Sequence, residues 1–277
     1  MTSVRAAEIR VQGRPGRYWR AGDVAARPVL LLHGGLGDAA LHWQRNLAGL
    51  GRDFAVLAPD LPGFGRTAAL PHPSYPAYGE WVAAFCDAAG AGPDLTVVGN
   101  SMGGAVARVF AAAYPARVAR LVLVDGGQPF SLPGAIRWVL GVPPLRALLL
   151  ALARRQACSP AALHRYVADP ARLTPSQRAR MRRGIRAYIR VQRQILAAPP
   201  VPAAALEVRC PVLVVWGAQD GLGSPASGRR LAAELGAALT IVDGAGHLPM
   251  LEQPAAFGGA VRGFVAATAG GTAVEGG

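Results

Sequence analysis

The chain has 277 residues, 52% of them hydrophobic, and a formal charge of +13 carried by 29 arginines and no lysine. That length and apolar content support one large core, or a core with an insertion, and exclude a mostly disordered chain. No uninterrupted apolar run reaches about 18 residues, which argues against a membrane-spanning helix.

Met1 to Val11 carries arginines and Glu8 but no apolar signal core, so no export signal is expected. Cys86, Cys158 and Cys210 are widely spaced and unpatterned. They read as free thiols in a reducing compartment, not a disulfide frame or metal site, and a cytoplasmic location follows as an expectation. Val4 to Val11 and Arg17 to Arg20 predict two short strands joined by the turn sequence Gln12-Gly13-Arg14-Pro15-Gly16. Pro28 to Leu32 is a continuous apolar run, the mark of a strand buried on both faces. It empties into His33-Gly34-Gly35-Leu36-Gly37, where glycines let backbone amides point into a shared cavity. The Gly35 N–H is a candidate oxyanion donor. His33 reads as a residue orienting this loop in preference to a catalytic base.

Phe54 to Ala58 predicts the next buried strand, followed by Pro59-Asp60-Leu61-Pro62-Gly63-Phe64-Gly65, in which Asp60 reads as turn-forming. Tyr78 to Ala89 can form a helix. Leu95 to Gly99 is apolar and ends in Gly99-Asn100-Ser101-Met102-Gly103-Gly104, after which an alanine-rich helix runs toward Tyr114-Pro115. Strand, sharp turn and helix form the context in which G-x-S-x-G carries chemistry. The turn pushes the Ser101 hydroxyl out at the top of the sheet, and the Met102 N–H lies at a helix start, open to an anion. Arg120 to Val124 is another strand, ending at Asp125, a possible triad acid.

From Gly126 to Ala205 the alternation stops. Helices are expected around Pro133–Leu140, Leu145–Arg155, Pro160–Ala168 and Pro175–Ala197. Pro211 to Trp216 resumes the strands, leading to Gly217-Ala218-Gln219-Asp220, then a helix over Pro225–Leu235. Leu239 to Val242 is the last strand, before Gly246-His247-Leu248, and a helix over Pro254–Ala267 closes the chain. The segment Ala269 to Gly277 is small and Gly-rich, and reads as a loose tail. Strands alternating with helices predict a doubly wound, mostly parallel α/β sheet with ligands at the carboxyl ends of its strands.

Serine needs a base, and the base needs an acid to fix its tautomer. Ser101, Asp220 and His247 follow predicted strands in the order nucleophile, acid, base. Together with His33-Gly34-Gly35, Asp60 to Gly65, Gly99 to Gly104 and Trp216 to Asp220, this resembles the α/β-hydrolase superfamily over almost the whole chain. The resemblance implies Ser101 as nucleophile, His247 as base, Asp220 as acid, and the Gly35 and Met102 amides as oxyanion hole. It implies a core of residues 1–125 and 206–277, a helical cap at 126–205, and neither cofactor nor metal. Serine at position 101 disfavours the aspartate-nucleophile chemistry of haloalkane dehalogenases and epoxide hydrolases. The wording around Ser101 is similar to meta-cleavage-product hydrolases, which break carbon–carbon bonds. Those enzymes typically carry tryptophan after the histidine, where Leu248 stands here, and a different glycine loop. An ester or thioester hydrolase of a small apolar or acidic substrate is therefore the preferred reading, with Leu248 at the substrate. The alternatives are carbon–carbon hydrolysis, a biosynthetic cyclase or release enzyme, and a non-catalytic receptor.

Thirteen arginines and a single acid, Asp169, lie between Gly126 and Ala205. On a helical wheel of Thr174 to Ala197, Met181, Ile185, Tyr188, Ile189, Ile195 and Leu196 share one face. Arg180, Arg182, Arg183, Arg186, Arg190 and Arg193 share the other and should point outward. Arg178, near the apolar edge, is the candidate for a substrate carboxylate. An outward basic stripe suits an acidic carrier protein or an anionic membrane, against the plainer reading of a solvated face. Nothing in the chain resembles a nucleic-acid module.

Overall fold

A computed structural model describes residues 2–129, 151–152, 155–157 and 159–268. The helix expected around Pro133–Leu140, most of that at Leu145–Arg155, and the Ala269–Gly277 tail lie outside them. Among the described residues, eight strands form one sheet in the order β1-β2-β4-β3-β5-β6-β7-β8. These are β1 (Arg5–Val11), β2 (Arg14–Ala21), β3 (Pro28–Leu32), β4 (Ala55–Pro59), β5 (Leu95–Asn100), β6 (Val118–Val124), β7 (Val212–Gly217) and β8 (Ala238–Val242). β1 and β2 form an antiparallel hairpin, β2 meets β4 antiparallel, and every pairing from β4 to β8 is parallel. The expected turn at residues 12–16 shrinks to Gln12-Gly13, both at positive φ, because the pairing continues to Val11↔Arg14.

Alternate residues of each central strand enter opposite core layers, as a period of two requires. Leu30, Leu32, Val97, Leu121, Leu123 and Val214 pack with Tyr78 and Trp81 of α2 (Tyr75–Ala89) and Phe110 of α3 (Met102–Ala113). Val29, Leu31, Val98, Val122, Val124 and Val215 pack on the other face, with Trp43 and Leu47 of α1 (Ala39–Leu50). Between β6 and β7 lie the short α4 (Leu163–Tyr166) and the long α5 (Pro175–Ile195). The run expected as one helix at Pro160–Ala168 is a 3-10 turn followed by this single α turn. After β7 come α6 (Pro225–Leu235), α7 (Pro249–Glu252) and α8 (Pro254–Ala267).

α5 starts with a capping box: Thr174 Oγ1 accepts from the Gln177 N–H, and the Gln177 side chain accepts from the Thr174 N–H. Its buried face is Met181, Gly184, Ile185, Ala187, Val191, Gln192 and Ile195, rotated from the predicted one, so Tyr188 and Ile189 are only partly covered. The helix lies so close to the body that a Cβ on Gly184 would strike the backbone of Gly37. The expectation that all six arginines point outward needs correction at Arg180 alone. Arg182 and Arg193 are exposed, but Arg180 turns to Asp38 at 2.7 Å. Arg183, Arg186 and Arg190 are exposed as expected, on the flank of the helix that borders a cavity against the body.

Candidate active site

β3, β5, β7 and β8 all end at the same edge of the parallel sheet, and the loops after them carry Gly35, Ser101, Asp220 and His247. Ser101 follows β5 directly. Its φ of 52° and ψ of −114° are a strained backbone for a serine. The strain is locked in by close packing: a Cβ at Gly103 would overlap the Leu32 and His33 carbonyl oxygens, and one at Gly99 the Gly103 carbonyl. The Ser101 N–H donates to the Val124 carbonyl at 2.9 Å, tying the turn to β6. Met102 is the first residue of α3, where an N–H has no acceptor within the helix.

His247 and Asp220 are both buried, and Nδ1 of His247 lies 2.8 Å from Asp220 Oδ2. Asp220 Oδ1 accepts from the Leu222 N–H at 2.8 Å. With Nδ1–H directed at the carboxylate, Nε2 of His247 carries the lone pair, and it is buried with no partner. Asn100, immediately before Ser101, donates through Nδ2 to the His247 carbonyl at 3.1 Å and to the Val124 carbonyl at 3.1 Å. The serine turn and the histidine loop are thereby held together.

The loop after β3 is fixed by two buried histidines. His33 Nε2 accepts from the Leu61 N–H at 2.8 Å, so its proton sits on Nδ1 and donates to the Gly34 carbonyl at 2.8 Å. His42 Nε2 accepts from the Gly34 N–H at 3.1 Å, and its Nδ1–H donates to the Asp38 carbonyl. Both rings are spent on structure, and burial lowers both pKa values, that of His42 to about 3. His33 is thus the loop-orienting residue expected. Asp60 is structural too: its carboxylate accepts from the Ala39 and Arg66 amides. At Gly35 a Cβ would enter the Tyr188 ring, so α5 sits directly on the glycine loop.

Asp125 does not reach the histidine. Oδ1 accepts from the Gly217 N–H at 2.8 Å, and Oδ2 is buried with no donor to accept from. Asp125, Asp220 and His247 bring one polar atom each within 4.8 Å of one another. Burial first, then the Asp220 charge, raises the Asp125 pKa well above the usual carboxylate range.

The two remaining candidates make the following contacts. Arg178 donates to the Pro170 carbonyl at 3.0 Å, in the 3-10 turn that precedes its helix. Leu248 is fully buried, packed in the layer that holds Met250 and Leu251. Sequence reasoning passed over Glu252. Its carboxylate accepts from the Gly246 N–H at 2.7 Å and from the Ala168 N–H at 2.6 Å, while the Tyr166 carbonyl accepts from the His247 N–H at 3.0 Å. These bonds latch the inserted segment to the histidine loop, and no motif announces them.

A family model described as the alpha/beta hydrolase fold matches residues 27–254. An uncharacterised protein of Mycobacterium tuberculosis is 30% identical, over 91% of this chain and 79% of its own length. Among solved structures, the 2-hydroxy-6-oxo-6-phenylhexa-2,4-dienoate hydrolase of a Rhodococcus species is 26% identical. It covers 95% of this chain and 99% of that one, with a TM-score of 0.75. An esterase of Thermogutta terrifontis is 24% identical with a TM-score of 0.77 over 95% of this chain and 99% of its own, a likeness of fold.

Proposed function

The chain belongs to the alpha/beta-hydrolase fold family, and from that premise we propose that it is a serine hydrolase of esters or thioesters. The observation carrying the proposal is the 2.8 Å Asp220–His247 bond, which leaves Nε2 without a partner in a loop that Asn100 ties to the serine turn, where Ser101 sits at positive φ. In this reading Ser101 Oγ attacks the acyl carbon while His247 Nε2 takes its proton. The Gly35 and Met102 N–H groups hold the oxyanion of the tetrahedral intermediate. Collapse expels the alkoxide or thiolate, which takes the proton from His247, leaving an acyl-enzyme. Water then attacks the ester carbon, His247 takes the water's proton and returns it to Ser101, and the acid leaves. Asp220 holds the productive tautomer throughout. The segment at 126–205 acts as the cap, with Tyr188 against the glycine loop.

Full-chain protein should label at Ser101 with a fluorophosphonate, and Ser101→Ala should abolish labelling and lower turnover by about 10⁴-fold or more. Unchanged turnover in that variant overturns the proposal. The 26% likeness to a carbon–carbon hydrolase favours one second reading, with the same serine acting on a vinylogous diketo acid. Comparing kcat/KM for such an acid with that for a small acyl ester separates the two.

A further inference from the structure

A cavity of about 460 Å³ opens between α5, β2 and the loop that follows β4. Six arginines line it: Arg17 from β2, Arg66 from the loop, and Arg180, Arg183, Arg186 and Arg190 from α5. Among the described residues only two carboxylates line the cavity with them, Asp38 and Asp60, and both are already committed. Asp38 accepts from Arg180 at 2.7 Å and caps α1 through the Leu41 N–H at 2.9 Å. Asp60 accepts from two backbone amides at 3.0 and 3.1 Å. Among the described residues, Arg17, Arg66, Arg183, Arg186 and Arg190 make no ion pair.

Arg66, Arg183, Arg186 and Arg190 are exposed and Arg17 is half-buried, yet their charges are gathered, not spread. Here Arg183, Arg186 and Arg190 stand at helical spacings of three and four, where like charges destabilise the helix. The body then adds two further arginines from separate segments, and Arg17 lies 5.0 Å over the Trp19 ring, which also lines the cavity. Convergence of unpaired guanidinium groups from three segments on one concavity is relieved by a dense anion. Guanidinium forks match phosphate oxygens in pairs, two bonds to a group. The volume falls within the range of small-ligand sites.

We propose that this cavity is a binding site for a soluble ligand carrying a diphosphate or similarly dense phosphate group. Gly37 and Gly184 line it, at the crossing of α5 and the glycine loop. It is built from residues other than Ser101, Asp220 and His247, so it stands or falls apart from the hydrolase chemistry.

Calorimetric titration of the full chain at low ionic strength tests it, with pyrophosphate, adenosine diphosphate and adenosine as probes. Pyrophosphate and adenosine diphosphate should bind one to one, adenosine should not, and binding should weaken as salt rises. The double variant Arg186→Gln/Arg190→Gln should weaken pyrophosphate by about tenfold or more. Arg182→Gln/Arg193→Gln, on the same helix but off the cavity, should leave it unchanged. If the α5 variants do not fold, Arg17→Gln and Arg66→Gln on the opposite wall should each weaken it. Equal weakening by the on-cavity and off-cavity variants would show diffuse basicity and overturn the proposal. So would the absence of pyrophosphate binding, or association only with phosphatidic acid vesicles and not with the soluble probes.

Discussion

Two aspartates sit within reach of each other behind His247, and the structure gives them different work. Asp220 takes Nδ1 of the histidine, while Asp125 takes the Gly217 amide. Asp220→Asn should therefore lower turnover by about 10⁴-fold through the wrong histidine tautomer. Asp125→Asn should cost far less, since an amide keeps an oxygen for Gly217 and gains a donor for Asp220. The raised Asp125 pKa makes a second difference visible. An acid with a raised folded pKa holds its proton at pH values where the unfolded chain has lost it. Its contribution to stability is full at pH below the unfolded value and is lost as pH rises through the folded one. Thermal midpoints measured from about pH 4 to pH 8 should fall more steeply for the wild type than for Asp125→Asn, which cannot ionise. Parallel curves would show that Asp125 holds no extra proton. The roles of the two acids were only half legible in the chain. The Trp216-to-Asp220 wording pointed to Asp220. The Asp125–Gly217 bond, spanning 92 residues, leaves no local trace.

Elements were most legible where chemistry and burial coincide. β5 and β7 are buried at every position, so continuous apolar runs marked them. α1 escaped notice because His42 and Asn46 lie on its buried face and blur the period of 3.6 residues. Its one signal was Asp38, a helix cap whose side chain accepts from the Leu41 N–H. The turn between β5 and α3 was read correctly because its glycines are sterically obligatory. Gly103→Ala sets a methyl group against two backbone oxygens that cannot swing aside. It should destabilise by about 3 kcal/mol and broaden thermal unfolding, or abolish soluble expression. A wild-type melting curve would mean that α3 can shift off the sheet. The latch at Glu252 belongs to the same scale, since it joins α7 to the segment between β6 and β7. Glu252→Ala strands the Gly246 and Ala168 amides, which should cost about 1–3 kcal/mol. Amide exchange should rise at residues 166–168 and 246–247 together. A rise at one segment alone would mean that the two are not coupled.

Across the whole molecule, a chain with 29 arginines invites the idea that its charges hold it together. Burial separates the few that do from the many that do not. Arg108 is 7% exposed at its side chain, donates to the Leu206 carbonyl at 3.0 Å and pairs with Glu234 at 3.0 Å. Leu206 ends a 3-10 turn where the chain returns toward β7, so this guanidinium fastens the returning segment to α3. Arg120, equally buried, reaches the Thr268 carbonyl at 3.1 Å and anchors the end of α8. By contrast, the Arg172–Asp169 pair is 75% and 50% exposed. Solvent screening leaves such a pair worth little. Arg108→Ala removes the donor from a buried carbonyl and should cost about 1–3 kcal/mol. For a chain of this size that lowers the melting temperature by about 2–4 °C per kcal/mol. Arg172→Ala should leave the melting temperature within about a degree of wild type. Raising salt should not narrow the gap between the two variants, because the Arg108 contribution rests on a hydrogen bond shielded from ions. A gap that closes in high salt would show the stability to be set by net charge after all, and the buried guanidinium to be incidental.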